Sequence, residues 1–164
     1  MQAQQLLDCI IKPTLEYMGG NYDSKNARML LLSTAAIESK CGYYIKQVGG
    51  PALGIWQMEP DTHNDIRANC DALHESSEFM RKIDSIDVFD FSELLEVSLI
   101  VSPIYACAMA RLKYAMDTEA LPDYHNMRHV YDYYKRIYNT PGGASTYEKF
   151  KHAWLYHKLN EVVL

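Results

Sequence analysis

One carboxylate stands out as a candidate for chemistry. Glu38 lies near the end of LLSTAAIESK, residues 31–40, where Leu31, Ala35 and Glu38 fall at i, i+4 and i+7 with Thr34 beside them. On a helix that spacing puts the carboxyl on the stripe that faces the core. Partial burial disfavours the charged form and lifts a glutamate pKa from about 4.3 toward neutrality, which is the condition for a general acid at physiological pH. The plain alternative is a helix-end glutamate that rotates into water.

Other constellations are weaker. His125 and His129 stand at i, i+4, and His152 and His157 lie near the end, but neither pair keeps company with a third ligand, so no metal and no other cofactor is expected. No serine sits in a GxSxG elbow. Cys9, Cys41, Cys70 and Cys107 form no CxxC motif and read as free, mostly buried thiols.

The residues after Glu38 sharpen the reading. Glu38-Ser39, then a loop, then Gly54-Ile55-Trp56-Gln57-Met58-Glu59-Pro60-Asp61-Thr62 resembles the signature of the soluble lytic transglycosylase and goose-type lysozyme superfamily. Tyr138-Asn139, late in the chain, is similar to the tyrosine-asparagine pair that closes the catalytic groove in that family. More narrowly, LLSTAAIESK, GGPALGIWQMEPDTH, YYKRIYNTPGGAST and the Leu121-Pro122 between them resemble small lysozyme-like proteins of tailed bacteriophages. Two departures are visible. Thr140-Pro141 intervenes before Gly142-Gly143, displacing the family's usual glycine, and Glu59 and Asp61 add negative charge beside the groove.

The resemblance implies cleavage of peptidoglycan glycan strands at the bond between N-acetylmuramic acid and N-acetylglucosamine, leaving a 1,6-anhydro end. Glu38 is then the catalytic acid. Gln57 is expected to hydrogen-bond a sugar amide or hydroxyl, and Gly54 to let the backbone approach the saccharide. Met58 is expected on the groove floor, and the Tyr138 hydroxyl to hold the Glu38 carboxyl. Asn139 is expected to shape the turn and Thr62 to be structural. Tyr43, Tyr44 and Trp56 are flat faces that can stack on sugar rings or pack in the core; if the loop tyrosines stack, truncating them weakens glycan binding more than stability. Two alternatives use the same residues: a hydrolysing lysozyme with Asp61 or Asp65 activating water, and a non-catalytic virion structural or peptidoglycan-binding protein.

The elements that must position these residues are helical nearly throughout. Expected are a first helix over 4–18 that Pro13 bends or ends, a second from Lys25 to Glu38 or Ser39 capped by Ser24, and a third opened by Pro60. Further helices are expected at about 75–84, 92–100, 102–117 and 126–138, with Met127, Tyr131, Tyr134 and Tyr138 facing inward, and a last one from Thr146 with Ser145 and Glu148 as a capping box. The expected fold is therefore mainly α, a lysozyme-like (soluble lytic transglycosylase-type) single domain over 1–164. It has seven or eight short helices, with an irregular loop or small hairpin, around Tyr43 to Ile45 and Leu53 to Trp56, between the Glu38 and Pro60 helices.

Composition bounds the rest. With 48% hydrophobic and 23% charged residues, the 164-residue chain can build one core without staples. A formal net charge of −5 argues against nucleic acid as a partner. The longest uncharged stretch, Val97 to Ala110, is too short to span a bilayer, so no membrane insertion is expected. MQAQQLLDCII lacks the features of a signal peptide, which points to synthesis in the cytoplasm. Action on the cell wall would then depend on either holin-dependent release at lysis or carriage in a virion among its proteins.

Overall fold

The computed structural model describes residues 1–87, 95–140 and 142–164, with the backbone alone at Leu95 and Glu96. Ten α-helical segments occur among these residues: α1 (Ala3–Leu6), α2 (Lys12–Met18), α3 (Lys25–Ser39), α4 (Pro60–Asn69), α5 (Asp71–His74), α6 (Ser77–Asp84), α7 (Leu95–Val101), α8 (Pro103–Ala115), α9 (Met127–Tyr134) and α10 (Tyr147–Tyr156). The chain is mainly helical, as the periodicity implies. Two more segments appear than expected, because a π turn divides the first helix and the short α5 precedes α6. The expected start at residues 92–94 lies outside the described residues, as does Pro141.

Pro13 neither ends the first helix nor simply bends it. It has no N–H to give to the carbonyl four residues back, and its ring crowds that carbonyl. The backbone widens into a π turn over Leu7–Ile11 just ahead of it and continues as α2.

At the centre lies α3, against which α1, α8, α9, α10 and the Leu7–Ile11 turn all pack. Every residue from Met29 to Ala36 is buried, so the expected stripe is in fact an all-round burial, the mark of a central helix. Its polar members are satisfied within it: Thr34 Oγ1 donates to the Leu30 carbonyl at 2.7 Å, and Ser33 bonds the Met29 carbonyl. Ser24 caps α3 as expected, accepting from the Ala27 amide at 3.1 Å.

A second buried helix, α8, runs alongside, with all positions from Tyr105 to Leu112 buried. Arg111 enters that core by donating to the Tyr22 carbonyl at 3.0 Å. The Pro60 start of α4 is as expected. The α10 cap sits one residue later than expected, at Thr146, whose hydroxyl accepts from Lys149 N at 3.4 Å.

The segment between α3 and α4 is an irregular loop rather than a hairpin with a ladder. It contains two isolated antiparallel bridges, Lys46 with Leu53 and Leu53 with Met58. Three of the cysteines are buried and Cys9 is exposed; all four are free. Among the described residues no helix is long and apolar enough to cross a membrane.

Candidate active site

The turn that ends α3 sets the position of Glu38. Lys40 and Cys41 both take left-handed backbone angles, φ 53° and 54°, which bulky residues adopt only when their surroundings hold them there. Ser39 supplies that hold. Its buried hydroxyl accepts from Gly42 N at 2.8 Å and donates to the Ala35 carbonyl at 3.1 Å, and its own carbonyl accepts from Tyr43 N at 2.8 Å. The serine beside Glu38 is therefore a structural part of the turn.

The loop returns to α3 through Trp56. This ring is 1% exposed, and its Nε1 donates to the Leu31 carbonyl at 2.9 Å, so Trp56 is core and not a sugar platform. Leu53 and Met58 exchange two backbone bonds of 2.9 Å around it, closing a tight turn with Gln57 at φ 47°.

Gly54 has a different task from the one expected. Its φ is +74°, and a Cβ added there would come within 2.2 Å of the Leu99 carbonyl oxygen. The missing side chain lets α7 pack against the loop, and Gly54 does not line the cleft that holds Glu38.

Glu38 sits in a cleft of about 590 Å³ whose lining includes Gln57, Met58, Glu59, Thr62, Tyr134, Tyr138 and Asn139. The structure thus brings Glu38, Gln57, Met58 and Tyr138 together, although they come from α3, the loop and the segment Lys135–Asn139 that follows α9. Met58 is 2% exposed and forms part of the cleft wall. Gln57 donates through Nε2 to the Gly54 carbonyl at 2.7 Å, which fixes the amide and leaves Oε1 as the acceptor available to a ligand.

The partner of Glu38 is Tyr134, not Tyr138. Tyr134 OH donates to Glu38 Oε1 at 2.5 Å, while Tyr138 OH donates to the Trp56 carbonyl at 2.9 Å. The reason lies in the backbone. After Tyr134 the helix opens into a π turn over Lys135–Asn139, which changes the angle between successive turns. Tyr134 faces the carboxyl and Tyr138 braces the loop. Tyr134 belongs to the inward stripe visible in the sequence, but helical spacing alone does not say which stripe tyrosine reaches the acid.

Asn139 does more than shape a turn. Its Oδ1 accepts from Lys135 Nζ at 2.7 Å and from Ser145 N at 3.4 Å, which leaves its Nδ2 as the donor toward Glu38. Gly143 makes this possible, since a Cβ there would come within 2.2 Å of the Asn139 carbonyl oxygen.

Burial pushes the Glu38 carboxyl above the ordinary glutamate range, while the donors Tyr134 and Asn139 pull it back. Burial is the larger effect. A half-buried acid held by Tyr134 and Asn139, with a raised proton affinity and an open cleft beside it, can deliver a proton to a bound ligand.

Tyr43 and Tyr44 are not brought to this cleft; they line a separate one. Asp61 and Asp65 are exposed and absent from the Glu38 cleft, and Asp65 is engaged by Asn69 at 2.8 Å and faces Lys113 at 3.8 Å. Among the described residues, the carboxylate that shares the cleft with Glu38 is Glu59. No family model, no curated protein and no solved structure matches this chain.

Proposed function

We propose that the chain is a peptidoglycan lytic transglycosylase that cuts the β-1,4 bond between N-acetylmuramic acid and N-acetylglucosamine. The observation that carries this reading is the half-buried Glu38 carboxyl, anchored by Tyr134 at Oε1 and set in one cleft with Gln57, Met58 and Tyr138.

In the proposed reaction, protonated Glu38 gives its proton to the glycosidic oxygen as that bond breaks, and positive charge develops at the muramic C1. The muramic 6-hydroxyl attacks C1 from within the same sugar. Carboxylate Glu38 takes the hydroxyl proton, closing the 1,6-anhydro ring and restoring the acid. An intramolecular nucleophile has an effective molarity on the order of 10⁵ M or more, so one carboxyl suffices and water need not be activated.

The deciding experiment is mass analysis of muropeptides after digestion of purified peptidoglycan. Anhydro ends, one water lighter than reducing ends, support the reading, and full activity of Glu38→Gln would remove it. One observation favours a hydrolytic second reading: Glu59 offers the same cleft a second carboxylate, as hydrolases require. Under that reading the products carry the additional water and Glu59→Gln abolishes turnover. A scaffold without turnover would clear no turbidity from outer-membrane-stripped cells.

A further inference from the structure

The loop after Glu38, residues 1–4 and the end of α10 with the segment that follows it line a second cleft, of about 760 Å³, which the proposed reaction does not use. Its walls carry Tyr43, Tyr44 and Tyr156, and the first and last of these are 73% and 72% exposed. Large rings held this far into water contribute little to the core, and their clustering in a concavity marks a binding surface. Tyr43 and Tyr44 meet edge to face at 4.8 Å between centroids, so they present two differently tilted faces.

Charge narrows the choice of ligand. Lys40 and Lys158 also line this cleft, with Glu161 as its acid, 3.5 Å from Lys158. Lys40 has no carboxylate partner among the described residues, and its Nζ stands 5.5 Å from the Tyr44 ring centroid. An unpaired cation beside aromatic faces, on a chain of net charge −5, is locally the opposite of the protein's overall sign. Such a patch draws an anionic ligand that the rest of the surface repels.

We propose that this second cleft binds a carboxylate-bearing amino-sugar strand, with Tyr43, Tyr44 and Tyr156 packing on the apolar C–H faces of the pyranose rings and Lys40 pairing with the carboxylate. The inference rests on the proposed function, because it makes the ligand the same polymer that the Glu38 cleft cuts. Glu38, on the last turn of α3, and Lys40, in the strained turn that follows, lie two residues apart and line different clefts. The second cleft holds the strand without touching the bond that breaks.

The test is an NMR titration of tyrosine-labelled Glu38→Gln protein, which still binds but does not turn over. The probe is the tetrasaccharide of alternating N-acetylglucosamine and N-acetylmuramic acid, and chitotetraose, lacking carboxylates, is the control. Two independently saturating sets of shifts are expected, one on Tyr134 and Tyr138 and one on Tyr43, Tyr44 and Tyr156. Adding Tyr43→Ala and Tyr156→Ala should weaken the second set at least about tenfold, equal to about 1.4 kcal/mol, with unchanged Tm because both rings are exposed. Lys40→Ala should remove that set's preference for the muramic ligand over chitotetraose.

Shifts confined to Tyr134 and Tyr138 would overturn the second site and leave the proposed function standing. Shifts confined to the second set would keep the site and overturn the Glu38 reading. Absence of both sets overturns both, and affinity unmoved by the double tyrosine change overturns the second site.

Discussion

Tyr134 and Glu38, 96 positions apart in the chain, are joined by a 2.5 Å hydrogen bond in which the phenol donates to the carboxylate. The bond favours the charged acid and so opposes the burial that raises its pKa. Tyr134→Phe removes the opposition, and the Glu38 pKa should rise further. An acid that must be protonated to act then stays active to higher pH. The expected result is an alkaline limb of the pH–rate profile moved upward, with the maximum rate lowered about 10- to 100-fold by loss of orientation. A limb that stays in place would show that Tyr134 does not set the acid.

Glu38→Gln should abolish turnover, by at least about 10²-fold, while stabilising the fold at neutral pH. Linkage gives the sign. A carboxyl whose folded pKa is raised binds its proton more tightly in the native state, so native stability declines as pH climbs from the ordinary glutamate range through the folded pKa. Glutamine has no charge to bury and still accepts from Tyr134. A gain of about 0.5–2 kcal/mol at pH 7 is expected, vanishing near pH 4, where both side chains are neutral. Urea unfolding at the two pH values measures it.

Gly54→Ala tests the loop without touching the cleft lining. A Cβ 2.2 Å from the Leu99 carbonyl, on a residue at φ +74°, cannot be accommodated without moving α7 or the loop. A destabilisation of about 2–4 kcal/mol is expected, seen as a lowered urea midpoint. Gln57→Ala, by contrast, should raise KM with a smaller change in stability, because its amide serves the cleft.

Lys135 latches the far wall, donating at 2.7 Å to both Asn139 Oδ1 and the Gly143 carbonyl. Lys135→Met should free the Asn139 amide from its fixed orientation toward Glu38. The expected outcome is a several-fold drop in kcat and faster hydrogen exchange at Gly142 and Gly143 with little change at α3.

The helices were legible because their signals are local. Ser24 as a cap, Pro60 at a first turn and the inward tyrosines of 127–138 each report on neighbours within one turn of helix. The elements that eluded the sequence are those where backbone geometry changes within a helix. No residue type within Leu7–Ile11 or Lys135–Asn139 announces a π turn, and Pro13, just beyond the first, signals a disturbed helix without saying that the backbone widens instead of ending.

Local pattern alone established a mainly helical chain with Glu38 at a helix end, followed by a turn-rich loop carrying Gln57 and Met58. Only the folded chain decided which groups meet. It gave Tyr134 to the acid and Tyr138 to the loop, placed Gly54 under α7, and sent Tyr43 and Tyr44 to another cleft. The physical reason is that periodicity records which side of an element is buried, whereas partnership depends on the angles between elements, and those are set jointly by all the side chains packed between them.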